Sequence, residues 1–183
     1  MSSPASFRMQ PLTVQSLAKQ FCHGHYVNTV DARLWRQTFE YIVQMQALPG
    51  LDTSSIAALW SQYGGDLRAL IKNDALVLSV LKKCLPNAQS HPANGLTLYR
   101  GESWFLFDQD QIGFCWTPSE ALATTYAKGL NAVESGGVLL KCFAPADAIL
   151  AAPATAGEIK HNLYICDPGR LLRLTTLALF PKP

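Results

Sequence analysis

Charged residues are scarce in this chain of 183 residues, since Asp, Glu, Lys and Arg make up 15% of it, against about 25% in an average domain. The 15 basic and 13 acidic residues leave a formal net charge of +2, which argues against a protein that coats duplex nucleic acid. Glycine and proline, with 12 and 11 residues, are too few for a low-complexity chain. Because 49% of the residues are hydrophobic, the sequence instead predicts a folded chain with a sizeable core.

The patterns that define several protein classes are also missing. The five cysteines are widely spaced and include no CxxC pair, which does not fit a zinc ribbon or a disulfide scaffold and predicts buried, reduced thiols. His23 and His25 flank a single glycine, a spacing that suits tetrahedral zinc poorly, so no metal is expected. No P-loop, GxSxG or HExxH motif occurs, so NTPase and hydrolase templates have no support.

Membrane and export signals are equally absent from the sequence. No apolar run approaches the ~20 residues that cross a bilayer, so no membrane partner is expected. The polar residues 1–6 lack the charged and apolar blocks of a secretory signal peptide. We therefore expect a cytoplasmic protein, whose polar start would also suit delivery into the cytosol of a target cell by a specialised secretion system.

The spacing of apolar residues changes near residue 90. Up to that point they recur at helical intervals, so residues 1–90 are predicted to form an N-terminal helical lobe. Capping and breaking residues, such as Asp31 before one helix and Gly64-Gly65 between two others, set the helix limits. The predicted helices lie within 13–21 and over 31–47, 52–63 and 66–85.

Residues 91–183 carry short apolar runs bounded by Gly, Pro, Asp or Asn, a pattern typical of strands. One helix over 118–128 interrupts them, with Ala121, Leu122, Thr125 and Tyr126 able to face inward. The predicted strands are 96–99, 112–116, 138–143, 163–166 and 171–180. The sequence thus predicts an α+β protein in which a helical lobe (1–90) and a compact strand-rich core (91–183) fold as one cooperative domain.

Arg100 has the clearest functional pattern in the sequence. It follows the predicted strand 96–99 and is followed by Gly101. An arginine at the end of a half-buried strand loses hydration unless it reaches solvent or meets an anion, and a planar guanidinium suits two phosphate oxygens. Gly101 would let a ligand approach the backbone. The pattern favours an anion site, with a solvated surface arginine as the alternative.

The order of motifs around Arg100 resembles the Arg–Ser–Glu class of mono-ADP-ribosyltransferases. Tyr-Arg-Gly at 99–101 is followed by Gly-Phe-Cys-Trp-Thr-Pro at 113–118 and by Ala-x-x-Tyr-Ala at 123–127. The resemblance spans roughly residues 96–171 and implies a mostly antiparallel core of two sheets. It also implies that NAD is the substrate and that a macromolecule, expected to be a protein, is the acceptor.

The resemblance implies a set of NAD-binding residues. Arg100 takes the place of the arginine that binds the NAD diphosphate, and the 115–117 segment takes the place of a Ser-Trp-Thr element at the nicotinamide ribose. The expected NAD-binding residues are therefore Arg100, Gly101, Cys115, Trp116 and Thr117. Cysteine stands where the family has serine, and it is a weaker hydrogen-bond partner.

The catalytic Glu-x-Glu motif of the family has no direct counterpart in this chain. Alignment of residues 164–168 with the strand that follows the motif puts His161 and Leu163 at the glutamate positions. Glu158 is the nearest acid, and a three-residue insertion would align it with the motif. The resemblance therefore implies Glu158, together with Arg100, as the catalytic residues, with a solvated loop acid as the alternative for Glu158.

Three classes of function fit these residues. The first is an effector, toxin or phage protein that transfers ADP-ribose from NAD to its acceptor and releases nicotinamide through an oxocarbenium-like transition state. The second is a catalytically degenerate relative that binds NAD or a protein, which the missing Glu-x-Glu motif favours. The third is an unrelated α+β adaptor in which the Tyr-Arg-Gly and Trp-Thr elements are coincidental. We expect them in that order.

Overall fold

The computed structural model describes residues 12–85, 93–153 and 162–183, which form helices and two small antiparallel sheets. The α+β expectation is confirmed at this level. The helices are α1 (Val14–Cys22), α2 (Ala32–Gln44), α3 (Thr53–Ile71), α4 (Asp74–Cys84), α5 (Trp104–Asp108) and α6 (Glu120–Lys128). The strands are β1 (Leu96–Ser103), β2 (Cys115–Trp116), β3 (Gly137–Ala144), β4 (Ile149–Ala151), β5 (Tyr164–Cys166) and β6 (Leu172–Phe180). No helix within these described ranges is long and apolar enough to cross a membrane.

The four helices of the first half begin at side-chain caps. Thr13, Asp31, Asp52 and Asn73 each accept a hydrogen bond from a backbone N–H in the first turn of the helix that follows. Such caps satisfy donors that a helix leaves unpaired. The apolar faces of α1–α4 enclose a core, here called the lobe core, that contains the fully buried rings of Phe21, Trp35, Phe39 and Trp60.

The predicted helix break at Gly64-Gly65 is wrong, because α3 runs through both glycines to Ile71. Gly64 lies against the indole of Trp60, and a Cβ at this position would come within 2.8 Å of the ring. The absent side chain makes room for a buried tryptophan rather than for a turn. The chain leaves the helix at Lys72, whose φ of 51° is left-handed.

The second half forms two three-stranded sheets with the orders β1-β3-β6 and β2-β5-β4, and every pair is antiparallel. Tyr99 and Thr117 join the sheets by exchanging backbone hydrogen bonds of 2.7 and 2.9 Å. This bridge brings β1 alongside the segment that leads into α6. Both sheets contribute to a second cluster, the sheet core, formed by Leu98, Trp116, Val138, Leu140, Cys142, Ala144, Ile149 and Cys166.

The lobe core extends into the second half of the chain. Phe114, Leu150 and Ile165 are buried in the same cluster as the apolar residues of α1–α4. A salt bridge adds a second tie, since Lys82 Nζ at the end of α4 lies 2.7 Å from Asp167 Oδ2 after β5. The helices and the β2-β5-β4 sheet therefore share a core.

The helix α6 packs on β1 through small residues. Ala123 and Ala127 are buried, and a Cβ at Gly101 would overlap their backbone atoms. The inward face of α6 was predicted to include Ala121 and Thr125, and this prediction is wrong because both residues are exposed. The prediction failed because the glycine brings the helix so near the strand that only alanine fits between them.

The strand β6 forms the outer edge of its sheet, paired with β3 on one side. Its four leucines are between 40% and 60% exposed, namely Leu172, Leu174, Leu177 and Leu179.

The cysteines behave as predicted for reduced thiols, because all five are free and all but Cys115 are buried.

Candidate functional site

A cleft lies between α3 of the helical lobe and the two sheets. Its other walls come from β1, from residues 113–117 and from α6. The cavity volume is about 200 Å³. The side chains with hydrogen-bonding groups that line it include Arg68, Tyr99, Arg100, Thr117, Tyr126 and Asn131. Four of the five predicted NAD-binding residues are thus brought to one place, namely Arg100, Gly101, Cys115 and Thr117.

Arg100 lies within β1, opposite Leu140 of β3, and not at the end of the strand as predicted. The strand continues to Ser103 because the residues after Arg100 keep their pairing with β3. The Arg100 side chain is 18% exposed and lines the cleft. The alternative of a solvated surface arginine is therefore wrong.

Two acceptors hold the Arg100 guanidinium. Its Nε donates to Glu102 Oε2 at 2.8 Å, and its Nη1 donates to the backbone oxygen of Cys115 at 2.7 Å. Nη2 has no hydrogen-bond partner among the described residues. Burial lowers the pKa of Arg100, but the charge and hydrogen bond of Glu102 outweigh burial and raise this pKa above its ordinary value. Arg100 is therefore a fixed cation on the cleft wall.

Glu102 is a residue of this site that sequence reasoning missed. It is 1% exposed, and its carboxylate accepts hydrogen bonds from the N–H groups of Ser103 and Gly113 as well as from Arg100. Burial raises the pKa of Glu102, but Arg100 and these N–H groups outweigh burial and hold it below its ordinary value. The available signal was the spacing, because residues i and i+2 of a strand share a face.

Two positions near the guanidinium are occupied by glycine, each for a different steric reason. A Cβ at Gly113 would overlap Arg100 Nη2, so Gly113 provides the space that the guanidinium occupies. A Cβ at Gly101 would overlap the backbone of α6. Gly101 still borders the cleft, where its carbonyl oxygen accepts a hydrogen bond from Asn131 Nδ2 at 2.7 Å. Its small size serves helix packing rather than the ligand approach that the sequence suggested.

Cys115 contributes its backbone to the site. Its carbonyl oxygen binds Arg100 Nη1, and the residue lies in the cleft wall. Burial raises the pKa of the Cys115 thiol to about 11, although the charge of Arg100 acts in the opposite direction. The thiol is therefore protonated at neutral pH and is a poor nucleophile.

Trp116 and Thr117 occupy different environments. Trp116 is fully buried in the sheet core, and its Nε1 donates to the Gly113 oxygen at 3.1 Å. Its ring thus supports the turn behind the cleft and does not line the cleft. Thr117 is 2% exposed and borders the cleft, where its Oγ1 accepts from the N–H of Ser119 at 3.1 Å. The cap of α6 is Ser119, whose side chain accepts from the N–H of Leu122.

The helical lobe supplies a second guanidinium to the cleft. Arg68 donates to both carboxylate oxygens of Asp74, at 2.8 and 2.7 Å, and to the backbone oxygen of Gln111 at 2.6 Å. Its Cζ atom also lies 5.7 Å from the centre of the Phe114 ring. Arg68 therefore connects α3 to the segment that carries Gly113.

Glu158 lies outside the described residues, so its predicted role stays a prediction. Leu163, which follows it in the sequence and precedes β5, lines the cleft. Among the described residues that line the cleft there is no carboxylate. Trp104 and Phe105, two aromatic residues near the predicted site, are 39% and 52% exposed on α5 and do not line the cleft.

Within the described ranges, no group of three or more His, Cys, Asp or Glu side chains could hold a metal ion.

Nothing among the protein-family models, the curated proteins or the solved structures matches this chain. The functional assignment therefore depends on the chemistry of the cleft, which combines a fixed cation, hydroxyl and amide groups and aromatic rings.

Proposed function

We propose that the cleft binds NAD and that the protein transfers ADP-ribose from it to a macromolecular acceptor, expected to be a protein. The observation that supports this proposal is the convergence of Arg100, Thr117 and Leu163 on one cleft. The resemblance assigns Arg100 to the diphosphate and Thr117 to the nicotinamide ribose, and it aligns Leu163 with a position of the missing Glu-x-Glu motif. An effector acting in the cytoplasm, its own or that of a target cell, fits this proposal.

Arg100 would hold the NAD diphosphate in this proposal. Its Nε and Nη1 are engaged by the protein, which leaves Nη2 for a phosphate oxygen. A cation fixed by its own neighbours loses little further freedom on binding, and that favours affinity. The cavity of about 200 Å³ is smaller than the ~300–1,000 Å³ of pockets that enclose drug-sized ligands. NAD would therefore be held along part of its length.

The reaction needs a carboxylate that stabilises positive charge. Cleavage of the nicotinamide–ribose bond releases nicotinamide and leaves an oxocarbenium-like ribose, which a nucleophilic atom of the acceptor then attacks. A carboxylate on the ribose 2′-hydroxyl stabilises that charge more in the transition state than in the ground state. Glu158 is the candidate for this role, and its loss is expected to lower the rate ~10²–10³-fold.

Incubation of the protein with tagged NAD and a cell lysate tests the proposal. We expect label transfer to a lysate protein and release of nicotinamide, both of which should fall in the variants Glu158→Ala and Arg100→Lys. Glu134→Ala is the matched control, because Glu134 is an exposed acid on a turn. Folded protein that gives neither label nor nicotinamide would contradict the transferase proposal.

A second candidate is a degenerate relative that binds NAD without cleaving it. It is favoured by the pairing of both cleft arginines with carboxylates, Arg68 with Asp74 and Arg100 with Glu102, and by the lack of an acid among the described lining residues. This candidate predicts that NAD raises the melting temperature, since a ligand that binds only the native state stabilises it. No nicotinamide would be released.

A further inference from the structure

The burial of Glu102 beside the cleft residue Arg100 calls for a physical reason. Glu102 and Asp167 are the acidic residues that are buried within the described ranges. An ionised carboxylate removed from water loses several kcal/mol of hydration unless donors replace the water. Well-packed apolar residues often serve stability as well as a buried ion pair does. The stability of β1 alone therefore does not explain a carboxylate at this position.

The donors to Glu102 come from three parts of the structure. Ser103 N–H, from the same strand, donates to Oε1 at 3.0 Å. Gly113 N–H, from the segment before β2, donates to Oε2 at 2.9 Å, and Arg100 Nε donates to the same oxygen at 2.8 Å. Two backbone N–H groups thus fix the carboxylate independently of its hydrogen bond with the guanidinium. It can act as a rigid support for Arg100.

The guanidinium is confined on its other sides as well. Its Nη1 is held by the Cys115 oxygen at 2.7 Å, and Nη2 occupies the space that a Cβ at Gly113 would fill. The 113–115 segment therefore supplies one donor to Glu102, one acceptor to Arg100 and the empty volume beside it. A rotation of the guanidinium away from this position would break two hydrogen bonds.

We propose that Glu102 is the positioning residue of the cleft, which holds Arg100 in the orientation that binds the diphosphate of NAD. This inference rests on the proposed function. A carboxylate beside a binding arginine has two opposed effects on an anion: it repels the anion, and it fixes the cation. Positioning predicts that removal of the Glu102 charge weakens NAD binding, whereas simple neutralisation of Arg100 predicts that removal strengthens it.

Glu102→Gln tests the sign of this effect. Glutamine keeps the shape but removes the charge, and when its one oxygen accepts from Gly113 N–H and Arg100 Nε, its amide nitrogen faces Ser103 N–H and cannot accept from it. We expect NAD, titrated by calorimetry or thermal shift, to bind about tenfold more weakly, with KM raised and kcat changed less. Glu134→Gln is the matched control and should bind NAD as the wild type does. Equal or tighter binding by folded Glu102→Gln would overturn the inference.

A double-mutant cycle shows whether Glu102 acts through Arg100. The variants are Arg100→Gln, Glu102→Gln and the two together, and far-UV circular dichroism checks the fold of each. If Glu102 acts by positioning Arg100, its replacement has no further effect on NAD binding in the Arg100→Gln background. Two effects on NAD binding that simply add would mean that Glu102 acts independently of Arg100, and the inference would be wrong.

Gly113→Ala provides a test that leaves the ion pair in place, in case Glu102→Gln does not fold. The added Cβ would displace the Arg100 guanidinium without removing any charge, so it should also weaken NAD binding. Unchanged NAD binding by folded Gly113→Ala would count against the positioning role. If the folded wild-type protein neither binds NAD nor releases nicotinamide, the proposed function itself fails and this inference fails with it.

Discussion

Replacement of Gly65 by alanine is expected to stabilise the protein, whereas the same replacement at Gly64 is expected to destabilise it. Both glycines lie inside α3, so each replacement gains ~0.5–1 kcal/mol from the helix preference of alanine over glycine. Among the described residues, apart from its chain neighbours and the nearby backbone of its own helix, no atom lies within 4 Å of a Cβ added at Gly65, and this gain is kept. The two variants are therefore a matched pair that differs in local packing.

At Gly64 the added Cβ would come within 2.8 Å of the Trp60 ring. This ring is 2% exposed and packs edge-on against Phe114, so it cannot move aside without disturbing the lobe core. Overpacking of this kind destabilises by ~1–3 kcal/mol. After the helix gain is subtracted, Gly64→Ala should lose about 1–2 kcal/mol relative to the wild type.

Urea unfolding followed by tryptophan fluorescence and circular dichroism measures both effects. We expect the midpoint of Gly65→Ala to lie above that of the wild type and the midpoint of Gly64→Ala to lie below it. The melting temperature should follow by ~2–4 °C per kcal/mol for a chain of this size. If Gly64→Ala proved as stable as Gly65→Ala, the Trp60 ring would have room to move, and its contact would not explain the glycine.

Acid unfolding should depend on Glu102. Because its folded-state pKa lies below the ordinary value, its contribution to stability is present above about pH 4 and is lost as the pH falls through the folded-state pKa. Glu102→Gln should thus be less stable than the wild type at pH 7 and closer to it at pH 3, as urea unfolding at the two pH values would show; an unchanged difference would refute this. Cys115, with a pKa of about 11, should react with iodoacetamide at pH 7.5 more than about tenfold slower than a free cysteine, and rapid labelling seen by mass spectrometry would contradict the raised pKa of this thiol. Leu177 is 44% exposed on the edge strand β6, and Leu177→Lys should raise solubility without lowering the melting temperature. Light scattering measures the solubility, and unchanged solubility would mean that this edge does not drive association.

The parts of the fold that depend on local sequence could be predicted. Asp31 caps α2 because a short acidic side chain can reach the free N–H groups of the first turn, and this requires only neighbouring residues. The runs that became β3 and β6 were recognised because their bounding turn residues are also local. The resemblance places Arg100 and the 115–117 segment at one site, and Arg100 does donate a hydrogen bond to the backbone oxygen of Cys115.

The parts that depend on contacts between distant segments could not be predicted in the same way. A glycine that ends a helix and a glycine that admits a neighbouring ring look alike in the sequence, and at Gly64 only the indole of Trp60 distinguishes them. The role of Glu102 depends on a hydrogen bond from Gly113, which is eleven positions away in the chain. Glu158, the predicted catalytic carboxylate, lies outside the described residues and is still a prediction.

The described structure changes from helix to strand between the end of α4 and the start of β1, but the shared core argues against dividing the chain at this position. Phe114, Leu150 and Ile165 are buried against the helices that precede this position, and Asp167 takes its closest cation from the end of α4. A fragment that begins at residue 93 would turn these side chains toward water and would lack one wall of the cleft. This fragment of the strand-rich half is therefore expected to be insoluble and inactive. Fusion partners are better attached at the chain ends than inserted between the two halves.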